Sequence, residues 1–168
     1  HYFDPHAVYN PPDPYREIYK DNPYDGEIAF TDENIGVLLA ALKELKLDEK
    51  TLIIFAADHG EGLGEHEEFG HSVFLYDTTL KVPLIFSCPG LITEGKIIEG
   101  QVRLIDVMPT ILDFLQVERN KEIQGKSLIG LMKGRIKSLN LPAYSESLYA
   151  KLRYNWSELK SFRTAEWK

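Results

Sequence analysis

The sequence contains a single cysteine, Cys88, among its 168 residues. That excludes an intrachain disulfide and a thiolate metal cluster. No stretch reaches the roughly 20 apolar residues that span a bilayer. His1-Tyr2-Phe3-Asp4 opens the chain without a methionine and without the basic-then-apolar pattern of an export signal. Positive charge is in deficit: 19 Lys and Arg stand against 26 Asp and Glu, a net charge of −7. That balance argues against nucleic acid as the main partner and serves solubility. What is present is apolar enough, at 43%, to exclude a disordered chain. The length makes one domain the default.

Along the chain, residues 4–24 are proline-rich and predict a long excursion loop, since proline removes backbone donors. From Asp25 to Leu47 the period becomes helical, with Ile28, Ile35, Leu38, Leu39, Leu42 and Leu45 on one stripe. Thr51–Ala57 is a continuous apolar run of strand length, the pattern of a strand buried on both faces of a parallel sheet. Val82–Ser87 predicts a second buried strand and Gln101–Leu104 a short one. Asp106 suits a helix N-cap ahead of Val107, Met108, Ile111, Leu112 and Leu115, and Gly125–Met132 reads as a turn and a short helix. From Pro142 the aromatics Tyr144, Tyr149, Tyr154, Trp156, Phe162 and Trp167 suggest antiparallel strands of a subsidiary sheet. The alternation of helix and buried strand is that of an α/β fold. Both ends read as cuts: Tyr2-Phe3 resembles the end of a strand, and the chain stops at Glu166-Trp167-Lys168 in an expected hairpin.

Chemistry concentrates directly after the first buried strand. Asp58–Ser72 holds three histidines, five carboxylates and four glycines in 15 residues. Ligands in open α/β sheets bind beyond the C-terminal ends of strands. There, adjacent Asp58 and His59 can turn toward one cation, with Gly60 letting the chain bend away. A metalloprotease helix fails on spacing, because the partner of His66 would fall at Gly70 and His71 is one residue too far. A zinc site from His59, His66 and His71 stays open on ligand type.

The run Ala57-Asp58-His59-Gly60-Glu61, followed by Gly64-Glu65-His66, Gly70-His71, Leu75-Tyr76-Asp77 and Lys81–Ile85, resembles the second signature region of the sulfatase family in the alkaline phosphatase superfamily. Upstream, His1–His6 and Tyr9–Pro12 are similar to the family's preceding segment, and Tyr24–Ile28 to the start of its helix before the metal strand. Asp106–Thr110 and Gly125–Leu128 resemble later landmarks. Glu146–Tyr149 with Trp156–Leu159 is similar to bacterial members that carry extra helical repeats beyond the sulfatase domain.

The resemblance implies a partial alkaline-phosphatase-like α/β/α sandwich over 1–140 and, over 141–168, the start of a small C-terminal antiparallel sheet. It places Asp58 and His59 on the second pair of metal ligands, with one divalent ion, Ca²⁺ first and Mg²⁺ or Mn²⁺ next, held weakly by these residues alone. His71 falls where many members have an anion-contacting Lys. His6 falls on the histidine that contacts the sulfate or protonates the leaving group. The family nucleophile, a formylglycine made from Cys, or a Ser or Thr, lies upstream, as do the first acidic ligands. Cys88-Pro89-Gly90 is not that motif, and a buried thiol is the better reading of Cys88. The implied activity is hydrolysis of a small-molecule or carbohydrate sulfate ester. A phosphodiesterase or phosphonate monoester hydrolase is the alternative within the superfamily. A non-catalytic metal- or carbohydrate-binding module is the alternative of another class. The family implies a periplasmic or extracellular location.

Overall fold

The structure, a computed structural model, describes residues 1–167. The chain divides into two compact units, His1–Thr51 and Leu52–Lys168.

The first unit is a loop laid on a helix. Residues 1–14 form no regular element, so Tyr2-Phe3 is not a strand here, and they lead into α1 (Tyr15–Ile18) and α2 (Pro23–Glu44). Pro23 opens α2 at the position where a missing N–H costs nothing. Glu27, buried on α2, ties the loop down: its carboxylate accepts the backbone N–H groups of His6 at 3.0 Å and Asn10 at 2.6 Å. Pro11 is buried against Gly26, where a Cβ would stand 2.8 Å from its ring. The helix ends three residues earlier than expected, with Leu45 as its cap. Its apolar stripe is not core: Ile28, Leu38, Leu39 and Leu45 are exposed. Helical periodicity marks which residues share a face, and a partner for that face has to come from elsewhere.

Among its described residues the second unit holds three two-stranded antiparallel sheets. β1 (Ile53–Ala56) is followed by the short hairpin strands β2 (Gly62–Leu63) and β3 (Phe69–Gly70), then α3 (Asp77–Leu80) and β4 (Leu84–Ser87). β1 pairs with β4 in the register Ile53↔Ser87 to Ala56↔Leu84. The expected parallel pairing is therefore corrected, as is burial on both faces: Phe55 and Ile85 are exposed. A continuous apolar run specifies a strand but not the direction of its neighbour. α4 (Val107–Phe114) and α5 (Ile129–Met132) follow. Leu128, Leu131 and Met132 form the buried core, packed on Leu84, Phe86 and Phe114. Cys88 is buried, as read from its position.

Residues 101–103 form no strand, and a 3₁₀ turn covers Leu104–Asp106. Asp106 makes no side-chain cap on α4. Instead its fully buried carboxylate accepts from the Arg103 backbone N–H, the Arg103 guanidinium and the Lys126 N–H. Thr110 then receives the Leu128 N–H at 2.9 Å. Gly125 is obligatory beside them, since a Cβ would meet the Ile105 carbonyl oxygen at 2.0 Å.

At the C-terminal end β5 (Ala143–Ser147) pairs antiparallel with β6 (Leu159–Arg163), as the subsidiary sheet predicted. Between them Tyr149–Tyr154 coil into α6, closed by Asn155 in the left-handed conformation. Tyr149, Tyr154 and Trp156 are thus not strand residues, a correction with a physical source. The spacing of 149 and 154 fits neither period well, and Ala150–Arg153 are good helix formers.

Candidate metal and anion site

β1 ends at Ala56, and Ala57 leads directly into Asp58 and His59. The Asp58 side chain is 85% exposed. Its Oδ1 accepts the His59 backbone N–H at 3.1 Å and lies 3.9 Å from His59 Nε2. His59 Nδ1 lies 2.8 Å from the Gly60 carbonyl oxygen. A carbonyl only accepts, so Nδ1 carries the proton and the ring lone pair is on Nε2. A carboxylate oxygen and an imidazole nitrogen from consecutive residues are thereby presented side by side. Both are donors that divalent cations accept, and their separation suits bonds of about 2.0–2.6 Å to a shared ion.

Gly60 matters for proximity and not for a left-handed bend. A Cβ there would lie 2.0 Å from the Thr78 carbonyl oxygen, and the Gly60 N–H donates to the Thr79 carbonyl at 2.9 Å. The Asp58–Gly60 turn is pressed against α3.

The β2–β3 hairpin supplies the next component. Its register, Gly62↔Gly70 and Leu63↔Phe69, sets the flanking residues Glu61 and His71 opposite each other. Glu61 Oε1 is 3.1 Å from His71 Nδ1, and the Glu61 side chain is only 5% exposed. By the same logic Nδ1 of His71 donates to the carboxylate, and its lone pair is on Nε2. The His71 ring stacks on His59 with centroids 3.8 Å apart and 26° between planes. At the hairpin tip Gly64 and His66 take positive φ, 117° and 55°. The Glu65 carboxylate accepts backbone N–H bonds, that of Leu63 among them, which hold it below its ordinary range.

Asp58, His59 and His71 therefore come together, and Glu61 joins them. In sequence Glu61 is one of five carboxylates in the loop, and its opposition to His71 follows from hairpin register, which the glycines permit but do not spell out. His66 goes elsewhere, stacking on Tyr76 at 4.1 Å. Among the described residues His59, His66 and His71 do not converge, so the three-histidine zinc alternative is not formed. His6 lies in the first unit. Its Nδ1 donates to the Ala7 carbonyl at 2.8 Å and its ring packs on Phe3.

The fold is the alkaline-phosphatase-like fold of solved sulfatases. The Sulfatase family model matches residues 1–117, and the chain belongs to the sulfatase family. It is 35% identical over 108 residues to human arylsulfatase K, covering 64% of this chain and 20% of that protein. It is 36% identical over 114 residues to an N-acetylglucosamine-6-O-sulfatase of Bacteroides thetaiotaomicron, covering 68% and 20%. A protein solved with its substrate D-glucosamine-2-N,6-O-disulfate superposes with a TM-score of 0.71 at 29% identity, covering 87% of this chain and 30% of that one. A phosphonate monoester hydrolase from Silicibacter pomeroyi superposes with a TM-score of 0.74 at 30% identity, covering 86% and 31%. The chain spans about a fifth of the length of the curated relatives it matches.

Proposed function

We propose that the complete protein carrying this segment is a divalent-metal-dependent sulfuric ester hydrolase. In this reading residues 1–140 are the C-terminal part of its catalytic α/β domain, and 141–168 begin an antiparallel subdomain. The observation that carries the reading is the side-by-side presentation of the Asp58 carboxylate and His59 Nε2 at a strand end, with the imidazole tautomer fixed by Gly60. An oxygen and a nitrogen donor fit Ca²⁺, Mg²⁺ or Mn²⁺. When bound, the ion supplies positive charge opposite the ester's anionic oxygens.

The chain's own residues divide the remaining work. Glu61 holds the His71 ring through Nδ1–H, and in the imidazolium form the Nε2–H on the far side donates to the sulfate oxygens, an electrostatic role that a fixed donor performs without reorganisation. His6 donates a proton to the leaving oxygen. The nucleophile and the other acidic ligands belong to the part of the protein outside this segment. A sulfated carbohydrate is the favoured substrate class, supported by the relatives that act on glucosamine sulfates. Phosphonate or phosphodiester hydrolysis is the second reading, favoured by the likeness to the phosphonate monoester hydrolase and by the imidazole at position 59.

The test is Asp58→Ala with His59→Ala in the complete protein. Hydrolysis of nitrophenyl sulfate is expected to fall at least about 100-fold, with loss of bound metal by elemental analysis. Unchanged turnover refutes the reading, and a phosphonate ester preferred over the sulfate transfers it to the second.

A further inference from the structure

His71 heads a segment that no regular element shapes: residues 71–76 lie between β3 and α3 and belong to neither. Ser72, directly after it, has a φ of 87°, a left-handed backbone that glycine adopts freely and serine does not. Backbone of this kind persists where surrounding contacts hold it. The contacts here are side chains. The Glu68 carboxylate accepts the Phe74 N–H at 3.1 Å, and the Thr79 hydroxyl donates to the Phe74 carbonyl at 3.1 Å.

Ser72 is held from far along the chain. Its carbonyl can only accept, so the Ser147 hydroxyl at the end of β5 donates to it across 75 positions of sequence. The same hydroxyl oxygen accepts the Tyr149 N–H at 3.4 Å, which orients it from the other side. Ser147 is itself buried, so its proton is committed to that carbonyl. Just past the far end of the segment, the Arg163 guanidinium on β6 pairs with both carboxylate oxygens of Asp77 at the start of α3. The β5–β6 hairpin therefore grips the segment at both ends.

We propose that Ser147 is a positioning residue for His71: its hydroxyl keeps Ser72 left-handed and so fixes the preceding ring against Glu61 and His59. Rotation about the Ser72 N–Cα bond turns His71 relative to everything that follows it. The ring has little room for such a turn, with Nδ1 3.1 Å from Glu61 Oε1 and its centroid 3.8 Å from that of His59. The consequence for hydrolysis rests on the sulfatase reading above; the clamp itself does not.

The experiment compares Ser147→Ala, and Ser147→Ala combined with Ser72→Gly, with the parent in the complete protein. It reads kcat/KM for nitrophenyl sulfate and the imidazole nitrogen NMR signals of His71, assigned by their loss in His71→Gln. Ser147→Ala is expected to lower kcat/KM at least about tenfold, since a small misplacement of a contacting group is costly, and to shift the His71 signals. Ser72→Gly is expected to recover most of both, because glycine needs no clamp to hold that φ. A loss that Ser72→Gly does not relieve overturns the clamp. So does an unmoved His71 signal, whether or not the rate falls. A signal that moves while hydrolysis is unchanged upholds the clamp and overturns the anion contact assigned to His71. Where Ser147→Ala does not fold, Ser147→Cys, close in volume and a weak donor, takes its place with the same outcomes.

Discussion

At the scale of the residue, the site is a set of imidazoles whose protons are assigned by groups that can only accept. The Gly60 carbonyl orients His59, and the Glu61 carboxylate orients His71. Partners that hold a ligand from behind are commonly worth 10–100-fold in activity or metal affinity. Glu61→Leu is therefore expected to lower kcat for nitrophenyl sulfate by about that factor in the complete protein. Glu61→Gln, which keeps an acceptor for Nδ1–H, is expected to recover most of it. Steady-state rates on both variants check the pair, and equal damage by Gln and Leu would assign Glu61 a packing role. The gathering of Asp58, His59 and His71 in the loop beyond β1 was legible in the sequence from strand-end placement. Glu61 was not, because its role depends on which residues face each other across a hairpin only two residues long on each side.

At the scale of the element, the strongest anchor is the buried carboxylate of Asp106, which gathers Arg103 and the turn before α5. Its replacement by Ala would strand the guanidinium and the Lys126 N–H. Breaking a buried pair of this kind costs about 3–5 kcal/mol, so Asp106→Ala should lower the urea midpoint sharply while leaving the m-value alone. The sequence marked Asp106 as a helix cap, and only the fold shows that it bonds backward to Arg103 and across to Lys126. Propensity sees neighbours along the chain, and the donors of a buried acid come from elsewhere. On the C-terminal hairpin, hydrogen bonds from Lys160 and Lys151 hold the Glu158 carboxyl down at about 2. A folded value below the unfolded one means that these contacts are complete above the ordinary carboxylate range and are lost as pH falls toward 2. The Glu158 carboxyl resonance should therefore titrate near 2 in the folded protein. In a Lys151→Met, Lys160→Met double variant it should move up toward 4.5.

At the scale of the whole molecule, apolar faces stand without cover among the described residues, and the proposed reading puts the nucleophile outside the segment. Purified residues 1–168 are expected to show no metal-dependent release of nitrophenol from an aryl sulfate or phosphodiester, and steady turnover would contradict the proposed division of labour. The helix, the two buried-type strands and the late antiparallel sheet were all legible from period and run length. The direction of β4 and the exposure of the α2 stripe were not, since both depend on what lies next to an element and not on the element itself.

The pairing of Arg163 with Asp77 ties β6 to α3, and Gly60, with no room for a single added carbon, ties α3 to the Asp58–His59 turn. Hairpin, helix and turn are thus spaced by contacts that leave little slack. A displacement of β6 would thus be passed through α3 to the Asp58–His59 turn, so the C-terminal hairpin acts as a brace for a loop more than 80 residues before it in the chain.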